Sequence, residues 1–185
     1  MKRILAISLV LALALILLVP STAMAAKPVA FAANGSLSGI DEGDVKPLGN
    51  SGKWLVSDRN IQGEFIDGDL EGAFTLTYGG VFDISDQSGR LNGHLFTESG
   101  TFTVTGETQP LVVLDYIVLP DGNGGIIIFP TLCELTVTGH WAGLKDLNAN
   151  GNFEAWFTFN VDMAGHVDTI FNSSFEMTGT CVDKR

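Results

Sequence analysis

Only two cysteines occur in 185 residues, which excludes a disulfide-dense scaffold and leaves stability to a hydrophobic core. Basic residues are also scarce. Ten Lys and Arg face 21 Asp and Glu, a formal net charge of −11 with His neutral. No basic stripe offsets that field, which repels nucleic acid and anionic lipid headgroups, so no nucleic-acid partner is expected. Apolar residues at helical spacing are missing beyond residue 26, which argues against helical and mixed folds. Long hydrophobic runs are limited to Ile4 to Val19, so no transmembrane helix is expected once that segment is gone. No nucleophile elbow, phosphate loop or usefully spaced Cys-His pair is present, and no catalytic residue can be assigned.

The N-terminus carries a targeting pattern rather than a structural one. Lys2 and Arg3 precede the apolar run, and Ala23-Met24-Ala25 follows it as a small-residue cleavage site. This three-part plan predicts a signal peptide over 1–25 and a secreted, extracytoplasmic domain over 26–185. Cleavage removes two basic residues and no acidic one, so the mature charge is 8 − 21 = −13. The remaining length suits one domain with one core.

The phrase apolar-x-Gly-x-apolar organises that domain. It occurs at Ile61 to Phe65, Leu70 to Phe74, Leu91 to Leu95, Val137 to Trp141 and Met177 to Cys181. In a strand, residues i, i+2 and i+4 share a face, so each copy sets a glycine between two inward apolar side chains. Such glycines suit a sharply bent sheet, or one whose aromatics lie over bare backbone. Strand signals run from Trp54 to Ile66 and from Asp69 to Ile84 around an Asp67-Gly68 turn, then through Arg90 to Thr97 and Gly100 to Gly106. Three more follow at Cys133 to Leu144, Phe153 to Met163 and Val167 to Cys181. The last places Phe171, Phe175 and Met177 inward. Asp41 to Asn50 reads as an acidic loop. The pattern predicts an all-β, single-domain antiparallel barrel of about eight to ten strands, with a two-sheet sandwich as the alternative.

One block breaks the alternation. Leu111 to Leu119 is apolar on both faces, as is Ile126 to Phe129, and Asp121-Gly122-Asn123-Gly124-Gly125 joins them. This predicts a hairpin buried on both sides. Val112, Val113, Leu114, Tyr116, Ile117 and Val118 are then candidates for an interface with a protein partner or another copy, since a bare face of that size is seldom tolerated.

Three constellations invite chemical readings. Cys133 and Cys181 both fall on inward faces, and an even cysteine count in a secreted chain predicts a disulfide between them. Asp146, Asn148, Asn150, Asn152 and Glu154 alternate oxygen-bearing side chains around Gly151. This resembles the first half of an EF-hand-type loop, with calcium as the implied cofactor. Phe157 stands where such a loop has its bidentate Glu, and no helices flank it, so the implied affinity is weak. His94, His140 and His166 each follow a glycine, but alternation turns His94 and His140 outward, away from any shared metal.

The leading functional expectation is a non-enzymatic secreted barrel that binds a small apolar ligand or a partner surface. An inward face rich in aromatics but interrupted by glycine can leave room inside. The alternatives are a surface or structural protein that oligomerises through the 111–129 hairpin, and a barrel-type cyclase or isomerase. That last reading, of the kind hosted by small barrels such as the allene oxide cyclases, rests on fold analogy alone. A calcium-stabilised carbohydrate-binding module is the remaining alternative.

Overall fold

The computed structural model describes residues 27–41, 43–83, 88–143, 148–163 and 167–182. The signal-peptide reading over 1–25, Asp146 and His166 lie outside them. Ten strands follow in order: β1 (Val29–Ile40), β2 (Asp44–Pro47), β3 (Lys53–Gly68), β4 (Gly72–Asp83), β5 (Ser88–Thr97), β6 (Gly100–Thr108), β7 (Val112–Pro120), β8 (Ile126–Gly143), β9 (Ala149–Val161) and β10 (Val167–Cys181). No helix occurs among the described residues.

Eight of these strands form a closed antiparallel barrel in the order β1-β10-β9-β8-β6-β5-β4-β3, and β3 closes it by pairing back onto β1. The expected barrel is therefore present, and the sandwich is not. The other two strands are additions: β2 extends the first half of β3, and β7 pairs with the start of β8. The segment read as an acidic loop thus contains a short strand.

Alternation along each strand builds the core. Phe65, Phe74, Phe102, Phe153, Phe175, Trp141, Leu95 and Met177 are all buried inside. Rings stack across strands, with Phe65 to Phe74 at 4.7 Å between centroids, Phe74 to Phe175 at 5.3 Å and Phe31 to Trp141 at 4.8 Å. Tilted pairs at this range add to the area they bury. The Trp141 indole N–H donates to the Asn152 and Thr178 carbonyls at 3.0 and 3.2 Å, so the ring is satisfied where it is buried.

In two copies of the glycine phrase an aromatic ring lies over bare backbone, as expected. A Cβ at Gly139 would meet the Gly106 Cα at 2.6 Å and a Phe153 ring carbon at 2.7 Å. The Phe153 ring therefore lies on two strands of bare backbone, a packing no larger residue permits. Gly63 relates to the Phe74 ring in the same way. Gly72 is different. It has φ +85° and ends a turn rather than interrupting a strand. The turn also differs from the Asp67-Gly68 expectation. β3 runs on through Gly68, paired with Ala33 of β1, and the chain reverses over residues 69–71. The Asp69 carboxylate then accepts from the Ala32 N–H at 2.8 Å. Barrel closure overrides the local turn preference because β1 supplies a partner for residues 67 and 68.

The two ends of the barrel are unlike. Phe31, Phe65, Leu70, Leu95, Phe102 and Trp141 fill one end. The other end receives the connections that carry β2 and β7, and is here called the mouth.

Two expectations about inward residues need correction. Cys133 and Cys181 are both free. Cys133 pairs with Phe159, and Phe159 with Ile170, so Cys133 sits level with Ile170 on β10. Cys181 is 181 − 170 = 11 residues further along, roughly 35 Å away at strand rise, whereas a disulfide needs Cα atoms within about 7 Å. Phe171 is exposed because the β9–β10 pairing slips between Ile170 and Ser173, which rotates the strand past it.

Candidate functional site

The mouth end of the interior holds a cavity of about 120 Å³. By a water-sized measure that is room for on the order of ten heavy atoms. Leu37, Leu76, Val137, Ala155, Phe157 and Phe159 make its apolar walls. Three polar side chains interrupt them: Arg59, Tyr78 and Thr108.

Arg59 reaches the interior through a backbone irregularity. Val56 pairs with Gly80 and Arg59 with Tyr78, so β3 has one residue more than β4 over this interval. Asp58 lies in the bulge at φ 55°, the left-handed region that L residues other than Asn and Asp seldom enter. Without the extra residue, strict alternation from inward Val56 would turn Arg59 outward. With it, Arg59 and Ile61 share the inner face. A bulge that re-aims one side chain is a recurrent device beside functional sites.

A short clasp holds Arg59 in place. Its Nε donates to the Asp41 carbonyl at 2.9 Å. The Asp41 carboxylate is occupied elsewhere, accepting from the Asn60 backbone N–H and from Asn60 Nδ2, both at 2.7 Å. These bonds from Asn60, backbone first and side chain second, hold the Asp41 carboxyl below the usual carboxylate range, with a smaller contribution from Arg59. Asn60 Oδ1 in turn accepts from Thr77 Oγ1 at 2.6 Å. The ion pairs among the described residues are Lys46–Asp44, Lys53–Asp83 and Arg90–Glu107. None involves Arg59.

Tyr78 is buried, and burial pushes its phenol pKa up while a hydrogen bond from Arg59 opposes the shift. Its hydroxyl therefore stays protonated, available as donor and acceptor. Thr108 is 6 % exposed, and its Oγ1 has no hydrogen-bond partner. An orphaned buried hydroxyl calls for an explanation, and a ligand is one.

The sequence reading missed all three residues. A signal was present, since Ser57-Asp58-Arg59-Asn60 is a polar run inside a strand bounded by Val56 and Ile61. Alternation that fails and then resumes out of phase marks a bulge.

The calcium candidates are arranged differently from an EF-hand-type loop. Asn150-Gly151 is strand, not turn, and Asn150, Asn152 and Glu154 project from the outer face of β9, with Asn148 just before it. From residue 150 to 154 the strand rises roughly 13 Å, whereas calcium ligands all lie about 2.3 to 2.6 Å from one ion. Those residues do not converge. Among the described residues no group of three His, Cys, Asp or Glu has metal-holding geometry. His94 and His140 are exposed on the outer face. His140, Asn152, Glu154 and Glu176 line an open outer groove of about 890 Å³, with the Arg90–Glu107 pair at 3.0 Å on its rim.

The interface candidates fall on a projecting ribbon. β7 and the start of β8 pair as the expected hairpin, but nothing among the described residues covers it. Val112, Val113, Leu114, Tyr116, Ile117 and Val118, with Ile126, Ile127 and Ile128, are 38 to 68 % exposed. Burial on both sides is thus not achieved among the described residues, where β1 is paired with β10 and β3 in closing the barrel.

No family model, curated protein or solved structure matches this chain significantly.

Proposed function

We propose that the protein is a secreted, non-enzymatic barrel that takes a small, mainly apolar molecule into its mouth. The observation that supports this reading is the walled cavity, in which mainly apolar side chains are interrupted by a few polar groups, the usual form of a small-molecule site. Ala155, inward on β9, offers the test because a larger side chain there fills the space. Isothermal titration of the full chain with octanoate and 1-octanol is expected to show saturable one-to-one binding. Ala155→Leu is expected to abolish it while circular dichroism stays that of the folded barrel. Absence of binding by the wild type, or unchanged binding by Ala155→Leu, refutes the reading.

A second reading is favoured by the ribbon. We infer that it buries its apolar faces against a second copy of this chain. Among the described residues β7 pairs with β8 alone, which leaves its outer edge open, and an antiparallel β7 from another copy satisfies it isologously. Nine half-exposed large side chains leave several hundred Å² uncovered, the scale of one side of a stable interface, about 800 Å². Acidic groups on the two described strands are confined to Asp115 and Glu134, so the ribbon is less repelled by a copy than the rest of this acidic surface. Sedimentation equilibrium is expected to show a dimer or larger assembly, dissociated by Val112→Lys with Tyr116→Lys. A strict monomer at high micromolar concentration refutes it.

A further inference from the structure

The cavity's polar groups say more about the occupant than its apolar walls do. We propose that Arg59, Tyr78 and Thr108 form a head-group site for a monocarboxylate, so that the ligand is an amphiphile with a carboxylate at one end and a hydrocarbon body. This inference rests on the barrel-mouth reading and specifies its ligand.

Four observations converge on an anion. A bulge with Asp58 in the left-handed region sets the half-buried Arg59 on the wall of a mainly apolar cavity, where its bond to the Asp41 carbonyl holds it. A planar guanidinium so placed offers charge-assisted hydrogen bonds to an anion that enters the cavity. Among the described residues Arg59 has no carboxylate at ion-pair distance, because the Asp41 carboxylate is directed onto Asn60 and acts on Arg59 only as a lesser, longer-range charge. Arg59 Nε is committed to the Asp41 carbonyl, which leaves its terminal N–H groups beside Tyr78. The Thr108 hydroxyl, buried and unpartnered, supplies a further donor at the cavity wall.

The number of charges selects among anions. Among the described residues Arg59 is the one cation lining this cavity, and the chain as a whole carries a formal net charge of −11. A dianionic phosphate would bring two charges to one guanidinium against that field. A carboxylate brings one, and its two oxygens match planar N–H donors. The walls, of Leu, Val and Phe, then take the hydrocarbon. Room for on the order of ten heavy atoms fits a chain of octanoate length. No bond is made or broken, so the site binds rather than reacts.

The test compares head groups on one tail. Octanoate, 1-octanol and octyl phosphate are titrated into full-length wild type and into Arg59→Met, Arg59→Lys and Thr108→Val at neutral pH. Octanoate is expected to bind wild type about 10- to 100-fold more tightly than octanol, the factor for hydrogen bonds to a charged group. Arg59→Met is expected to erase that gap and leave octanol affinity in place. Arg59→Lys keeps the charge without the planar fork and is expected to restore the gap only in part. If octanoate and octanol bind wild type equally, the head-group site is refuted and the barrel-mouth reading survives. If octyl phosphate binds more tightly than octanoate, the carboxylate assignment is refuted. If neither octanoate nor octanol binds, both readings fall together. Should Arg59→Met not fold, the wild-type ratio and the Thr108→Val ratio, expected to be reduced, still decide.

Discussion

Thr108→Val isolates one buried hydroxyl with almost no change of shape. Thr108 lies on β6, paired with Gly89 on one side and Val137 on the other, and its side chain is 6 % exposed. Its Oγ1 finds no partner. Leaving such a group buried and unsatisfied costs about 1 to 3 kcal/mol, and the isosteric methyl removes that cost. Valine also keeps the β-branched stiffness that suits a strand. The free chain is therefore expected to gain about 1 kcal/mol, or about 3 °C in Tm for a domain of this size. Thr108→Ser separates the two halves of the side chain. It retains the hydroxyl and removes a buried methyl, and is expected to lose about 1 kcal/mol. Urea unfolding with the three proteins at one pH measures both changes, and unchanged m-values confirm that the difference lies in stability. Gain of stability with loss of octanoate affinity is the signature of a hydroxyl kept for a ligand. If Thr108→Val is destabilised by 1 kcal/mol or more, on the same scale, the hydroxyl is satisfied in the folded protein and the reasoning is wrong.

Other expectations follow from single positions. Gly139→Ala sets a Cβ against the Gly106 Cα and the Phe153 ring, and is expected to cost about 2 to 4 kcal/mol in urea unfolding, against near neutrality for Gly39→Ala, where a Cβ meets nothing within 4 Å. Asp58→Val places a β-branched residue at φ 55° and is expected to cost about 1 to 3 kcal/mol, while Asp58→Gly retains the fold and the octanoate preference. The Asp41 pKa is depressed in the folded chain, so its contribution is present above the ordinary carboxylate pKa and is lost as pH falls through the lower folded value. Asp41→Asn is accordingly expected to flatten the acid limb of the stability-pH curve below about pH 4, and an unchanged limb overturns that account. Both thiols are free, so denatured, non-reduced protein is expected to react with two equivalents of a thiol reagent. Native protein is expected to leave Cys133 slow, since it is buried and burial pushes its pKa up.

What the sequence determined by itself is the local pattern. Period-two alternation at Cys133 to Trp141 and Phe153 to Phe159 identified the strands and their inward faces, and the recurring glycines announced aromatics lying on bare backbone, as Phe153 does over Gly106 and Gly139. These properties depend on neighbours two residues apart, which a linear reading contains. Tertiary structure decided everything that depends on register between distant strands. Cys133 and Cys181 share an inward face yet lie at opposite ends, because alternation gives the face and only pairing gives the level. The 111–129 ribbon reads as doubly buried, but β1 closes the barrel against β3 and no other described segment covers it. Asn150 to Glu154 have the spacing of ligands in a loop and become a straight row when that segment pairs as strand. Arg59 faces inward only because one extra residue in β3 is absorbed opposite Gly80 and Tyr78. That slip, marked in the sequence only by the polar run Ser57 to Asn60 and located only by the partner strand, sets a cation beside an apolar cavity and so creates the candidate site.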